Sequence, residues 1–260
     1  MKNLLLYLFL FFAHSSTGQV LKNKIPDRLV VLTFDDGVKT HYSFVAPLLQ
    51  QYHFGSTFFV CEFPPDFSDT TKYMTWTQMQ QLSKMGFEVA NHTHTHRHVN
   101  KMTKEEFINE LAYIEHKCDS LHIDRPKTFA YPGYDTHPVA LEVLQEKNYL
   151  FARAGGNRVY DPQTDHPYLI PSFTTLENNR QEIMEALTQA KNGKVVVLTI
   201  HGVPDIAHDW VTTPPDLFKE YLQYLYTHHY KVISLKDLSR YINVQKALRT
   251  IEPNLQKQTK

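Results

Sequence analysis

The stretch Leu29-Val30-Val31-Leu32-Thr33-Phe34-Asp35-Asp36-Gly37 decides how the rest of the chain is read. Five of its first six residues are apolar, and they run straight into two adjacent carboxylates and a glycine. Such a run fits a strand buried on both faces, the kind found in parallel sheets. Burying an unpaired carboxylate is costly, so Asp35 and Asp36 belong at the strand's carboxyl end, in a loop, with partners. Neighbouring side chains of an extended segment point to opposite sides, which lets the two acids take different roles. Gly37 allows a sharp turn or a close approach to a ligand. The plainer reading is an Asp-Asp-Gly surface turn, and the remainder of the chain decides between the two.

Outward from that stretch, short apolar runs alternate with helical patterns. Strands are predicted at 29–34, 57–60, 87–90, 128–131, 150–154, 195–200 and 231–234. Helices are predicted at 45–52, 77–84, 103–122, 138–146, 179–191, 214–228 and 236–243. Thr77 is read as the cap of the second helix and Gly86 as its stop. Thr103 with Glu106 three residues on has the capping-box pattern. Beyond about Ala247 the chain is polar and expected to fray. Strand then helix, six or seven times over, predicts a parallel sheet covered by helices. Closed, it is a (β/α) barrel; open, it is doubly wound. Both architectures gather functional loops at the carboxyl ends of the strands.

Length and composition set bounds. The chain has 260 residues, 42% hydrophobic and 21% charged, which suits one or two domains. No Pro/Gly/Ser-rich linker divides it, so residues 19–260 are read as a single domain. Formal net charge is zero, giving no preference for nucleic acid or an anionic membrane. Residues 1–18 read as a secretory signal peptide: Lys2, an apolar centre from Leu4 to Ala13, then small residues. That centre is too short for a membrane span. A secreted or periplasmic location follows as an expectation. Cys61 and Cys118 are the only cysteines and could pair or stand as separate thiols.

Chemistry-bearing residues stand at the predicted strand ends. Asp35-Asp36-Gly37 follows the first strand, and Asn91-His92-Thr93-His94-Thr95-His96-Arg97-His98 the third. Tyr131-Pro132-Gly133-Tyr134-Asp135 follows the fourth, Arg153 lies in the end of the fifth, and His201-Gly202 follows the 195–200 strand. His92 and His96 share a face in a helical turn, the spacing used by metal ligands. With a carboxylate at a neighbouring strand end they make a two-histidine, one-carboxylate metal site. His94 and His98 are left to neighbouring or exposed roles. His201 is placed for proton transfer. Arg153 is expected to pair with Asp35. Tyr131, Gly133, Tyr134 and Trp210 are expected to face the substrate, Trp210 as a ring for sugar stacking.

Thr33-Phe34-Asp35-Asp36-Gly37, His92-Thr-His-Thr-His96 and Leu198-Thr-Ile-His201, in this order and spacing, resemble the polysaccharide deacetylases with a NodB homology domain (carbohydrate esterase family 4). The resemblance covers about 29–242. It implies a distorted (β/α) barrel of about seven parallel strands and a divalent metal, usually zinc. It implies Asp36, His92 and His96 as ligands, Asp35 as general base and His201 as general acid. The implied reaction removes N-acetyl groups from sugars of a polysaccharide or oligosaccharide, or O-acetyl groups from xylan. An inactive carbohydrate-binding protein on the same scaffold is the alternative of another class. Two elements depart from the family pattern. Phe129-Ala130-Tyr131-Pro132-Gly133-Tyr134 stands where the family commonly carries Arg-Pro-Pro-Tyr/Phe-Gly. No Asp-x-x-x-Trp-like element follows strand five, and Arg153 is expected to supply the missing positive charge.

Overall fold

The computed structural model describes residues 19–258; the leader-like segment 1–18 lies outside them. Strand β1 (Leu29–Phe34) is buried along its whole length. One edge runs parallel to β7 (Val196–Ile200), with Val30 opposite Val196 and Phe34 opposite Ile200. Two strands share the other edge. Leu29–Val31 pairs with β8 (Lys231–Ile233), and Thr33 and Phe34 pair with β2 (Thr57–Val60). Gly55 sits where β2 meets β8: a Cβ there would lie 3.1 Å from the Ile233 Cα.

Beyond β2 come β3 (Glu88–Asn91), β4 (Thr128–Ala130) and β5 (Phe151–Arg153), and beyond β7 comes β6 (Phe173–Thr174). Every ladder between these strands is parallel. The sheet curls into a half-barrel, the distorted barrel expected from the sequence. Strand β6 had no forecast, because two residues leave no periodic pattern to read.

Alternate residues of β1 serve two cores. Val30, Leu32 and Phe34 pack outward against Leu49, Met79, Leu82, Ile183 and Leu222 of the helical layer. Leu29 and Val31 pack with Phe59, Ala130, Phe151 and Val197 and with Val244 and Ala247 near the C-terminus. A strand apolar on both faces is what this sandwiching requires.

The helices are α1 (Ala46–Gln51), α2 (Trp76–Lys84), α3 (Lys104–Ser120), α4 (Pro138–Glu146), α5 (Arg180–Leu187), α6 (Pro215–Thr227) and α7 (Val244–Thr250). The cap of α2 is Thr75 rather than Thr77. The Thr75 hydroxyl accepts the Gln78 N–H, and the Gln78 side chain accepts the Thr75 N–H, closing a capping box. Thr103 and Glu106 form the same box on α3. Helix α7 runs to Thr250, three residues into the stretch beyond Ala247 that was expected to fray. The Asn243 side chain caps α7 by accepting the Lys246 N–H, and Val244 and Ala247 are buried, so tertiary packing holds the segment. Cys61 and Cys118 are separate buried thiols. No helix among the described residues is long and apolar enough to cross a membrane.

Candidate active site

Asp35 still belongs to the sheet: its N–H donates to the Ile200 carbonyl at 3.0 Å. The chain then swings out through two successive left-handed residues, Asp36 (φ +76°) and Gly37 (φ +62°). Aspartate is among the few residues that tolerate this region. The turn sends the two carboxylates into different surroundings, both almost fully buried. One oxygen of Asp35 accepts a hydrogen bond from Nη2 of Arg153, which is itself fully buried at the end of β5. Rings of Phe59 and Tyr134 flank the guanidinium at 5.5 and 5.3 Å. The other oxygen, Asp35 Oδ1, has no hydrogen-bond partner.

Asp36 meets the histidines. His92 continues β3, its N–H donating to the Val60 carbonyl, and its Nδ1 lies 2.9 Å from the Ala130 carbonyl. A carbonyl only accepts, so Nδ1 carries the proton and Nε2 is left with a free lone pair. That Nε2 stands 3.4 Å from Asp36 Oδ1, and His96 Nε2 stands 3.3 Å from the same oxygen. Burial pushes His96 down to about 4, so its ring is neutral at neutral pH. Burial by itself would raise Asp36, but His92, His96 and His201, once protonated in acid, outweigh it by hydrogen bonding and charge, so the carboxyl is held well below the usual carboxylate range.

Asp36 Oδ1 is buried with no hydrogen-bond donor. It and the two Nε2 atoms all lie within 4.8 Å of one another. Nitrogen and oxygen ligands about 2.0–2.2 Å from a tetrahedral zinc lie about 3.3–3.5 Å apart. The donor set therefore fits a divalent cation both in spacing and in its convergence of lone pairs.

The segment 92–98 is an irregular loop rather than the helical turn expected, with Thr93 and His96 in the left-handed region, and it brings His92 and His96 together by that route. His94 turns away, stacked on Tyr113 at 3.5 Å with Nε2 3.3 Å from Glu62. His98 Nδ1 lies 2.8 Å from Asp135 Oδ2. Gly133 (φ +61°) lies under His98; a Cβ there would come within 2.3 Å of the His98 ring. Tyr134 donates its N–H to the Tyr131 carbonyl, and its hydroxyl lies 2.6 Å from the Thr174 hydroxyl. The expectation that Tyr131 faces substrate is corrected. Its side chain is fully buried and its hydroxyl donates to the Tyr168 carbonyl, so it is a core residue of the β4–β5 side. Trp210 is 73% exposed, on the loop after β7.

His201 directly follows β7, with Nε2 3.9 Å from Asp36 Oδ2 and Nδ1 unpartnered. Its carbonyl accepts from Nε2 of His41, a fully buried ring that burial pushes down to about 4.

One histidine of the site was missed in the sequence. His208 Nδ1 lies 3.6 Å from Asp36 Oδ2 and 3.7 Å from Asp205 Oδ2. Burial would lower this imidazole, but Asp205 and Asp36 beside it raise it overall. Asp205 is held below its usual value: burial pushes it up, but His208 and the Gly202 and His208 N–H groups outweigh that push. His208 lies seven residues past His201, across Pro204, beyond the strand-end window. The run Asp205-Ile-Ala-His208-Asp-Trp210 was the available signal.

A family profile described as polysaccharide deacetylase matches residues 22–152, half of the chain. The chain belongs to the polysaccharide deacetylase family. This deacetylase-family match contains Asp35, Asp36, His92 and His96 and stops one residue short of Arg153. Among curated relatives, a Bacillus cereus peptidoglycan-N-acetylglucosamine deacetylase is 24% identical over 216 residues, covering 83% of this chain and 90% of the relative. A Pseudobutyrivibrio xylanivorans bifunctional xylanase/deacetylase is 32% identical over 86 residues, or 33% of this chain. The chain spans only 13% of that protein and 44% of a Bacillus subtilis relative. Among solved structures, the Xyl-CE4 domain of a multidomain xylanase from the hindgut metagenome of Trinervitermes trinervoides superposes with a TM-score of 0.56. Identity there is 20%, over 83% of this chain and 91% of that one, a likeness of fold.

Proposed function

We propose that the protein is a metal-dependent hydrolase that removes N-acetyl groups from sugars of a polysaccharide or oligosaccharide. Asp36, His92 and His96 hold a divalent cation, zinc being the natural fit for this donor set. One observation carries the reading: three lone-pair atoms converge within 4.8 Å of one another, beside a second carboxylate tied to a buried arginine. When bound, the cation polarises the acetyl carbonyl and makes water more acidic.

The chain's own residues supply the proton traffic. Arg153 holds one oxygen of Asp35, leaving Oδ1 free to take a proton from the attacking water. His201, on the Oδ2 side of Asp36, gives a proton to the departing sugar nitrogen. Tyr134 and Asp135 spend their N–H groups on the carbonyls of Tyr131 and Pro132. The Gly133 N–H, in the first turn of that short helix, is therefore the donor for the developing oxyanion. Trp210 offers an exposed ring face to a neighbouring sugar. The leader-like 1–18 supports action outside the cytoplasm, checked by sequencing the mature N-terminus of the exported protein.

Acetate release from N-acetylated chitooligosaccharides and peptidoglycan, with and without a chelator, tests the assignment. Release that the chelator abolishes and zinc restores is expected. The xylanase/deacetylase relative supports including acetylated xylan, and release from xylan alone would make the protein an O-acetyl esterase using the same site. Sugar binding with no acetate release from any substrate would instead identify a binding protein on this scaffold.

A further inference from the structure

We propose that His208 is a positioning residue of the metal centre, holding the second oxygen of Asp36 so that the first is presented to the cation. This rests on the metal-site reading above. The two oxygens of Asp36 have separate neighbours. Oδ1 faces His92 and His96 and has no donor; Oδ2 faces His201 at 3.9 Å and His208 at 3.6 Å.

The imidazole of His208 is built in rather than draped over the rim. Its side chain is 14% exposed, packed 5.0 Å from the Phe63 ring and edge-on to Trp210 at 5.4 Å. The Tyr73 hydroxyl lies 3.3 Å from Nε2. That leaves Nδ1 buried, without a hydrogen-bond partner, between Asp36 Oδ2 and Asp205 Oδ2 at 3.6 and 3.7 Å. A bare lone pair there would face two carboxylates, so Nδ1 carries a proton, and Nε2 faces the Tyr73 hydroxyl. Each Nδ1 contact is a few tenths of an ångström beyond hydrogen-bond length. At these distances the ring acts on Asp36 Oδ2 through its electrostatic attraction.

Asp205 fixes where that ring stands. Its Oδ1 accepts the N–H groups of Ala207 and His208 at 2.9 and 2.7 Å, and its Oδ2 accepts the Gly202 N–H at 2.9 Å. Gly202 has to be glycine, since a Cβ would lie 2.3 Å from the Asp205 Cα. The loop from Gly202 to Thr213 is tied again where the Thr213 N–H donates to the Gly202 carbonyl. His208 thus stands between Asp205 of this loop and the carboxylate that anchors the cation, within ion-pair distance of both. Polar groups that orient a metal ligand typically change metal affinity by about 10–100-fold when removed.

The test crosses donor against bulk. His208→Asn keeps an N–H near the Nδ1 position and loses volume; His208→Leu keeps volume and loses the donor. Zinc affinity of each purified protein is measured by competition with a chromophoric chelator, alongside thermal unfolding of the metal-free form. The expected result is near wild-type affinity for His208→Asn and a loss of about 10–100-fold for His208→Leu, with similar metal-free unfolding temperatures. Wild-type affinity in His208→Leu, or equal loss in both variants, overturns the proposal and leaves the metal site itself standing. A wild-type protein that binds no divalent cation removes the metal reading, and this one with it.

Discussion

Asp35 and Asp36 are neighbours in sequence with different partners, and their variants separate accordingly. Asp35→Asn and His201→Ala are expected to keep the metal and lose activity by about 10²–10⁴, the usual weight of one general acid or base. His92→Ala is expected to lose the metal, read as zinc content after dialysis. Arg153→Met leaves Asp35 buried without its cation. It should lower stability by on the order of 3 kcal/mol and activity with it; full activity in this variant would refute the positioning role. Much of this was legible because the residues sit at strand ends. Arg153 could be matched to Asp35 as the cation at the same rim. His208 could not, because a loop folded by Asp205 rather than a strand carries it back to Asp36. Tyr131 was misread for a related reason: it follows β4 directly, but its ring turns into the core, where its hydroxyl finds the Tyr168 carbonyl.

Elements carry their own consequences. Thr103→Ala removes one half of the α3 capping box and should cost about 1 kcal/mol, a fall in Tm of about 2–4 °C for a domain of this size. The turn at His41–Val45 contains a protonation-sensitive residue. Burial lowers His41 from its ordinary 6.5 to about 4. Between those values the unfolded chain binds a proton that the folded chain does not. The associated stability is complete above about 6.5 and lost as pH falls toward 4. It amounts to about 3 kcal/mol. Denaturant unfolding of His41→Gln, which retains an N–H for the His201 carbonyl, should show a shallower loss across that window. All strands but β6 were readable from apolar runs, and α3 from its capping-box pattern. The α2 cap was misplaced because Thr75 and Thr77 each have a glutamine three residues on, Gln78 and Gln80, so the capping-box pattern fits both, and only the folded hydrogen bonds select Thr75. Helix α7 was unreadable because its stability comes from burying Val244 and Ala247 against distant strands.

At the scale of the whole molecule, the sequence pattern left open whether the sheet closes or stays open. The answer lies in pairings between distant residues, which local periodicity does not carry. Strand β1 meets β7 on one side and both β8 and β2 on the other. The segment bearing both carboxylates is therefore seated by strands at the far end of the chain. Contacts between residues so far apart in sequence form late and slowly. During synthesis, Asp35 and Asp36 emerge early, yet their strand has no complete set of neighbours until Lys231–Ile233 has been made. A ribosome-bound chain lacking that last strand should remain protease-sensitive around residues 29–37, and adding it should confer protection. Closure of the sheet around the two carboxylates thus waits for the last of the described strands, so the order of synthesis sets the order in which this rim can assemble.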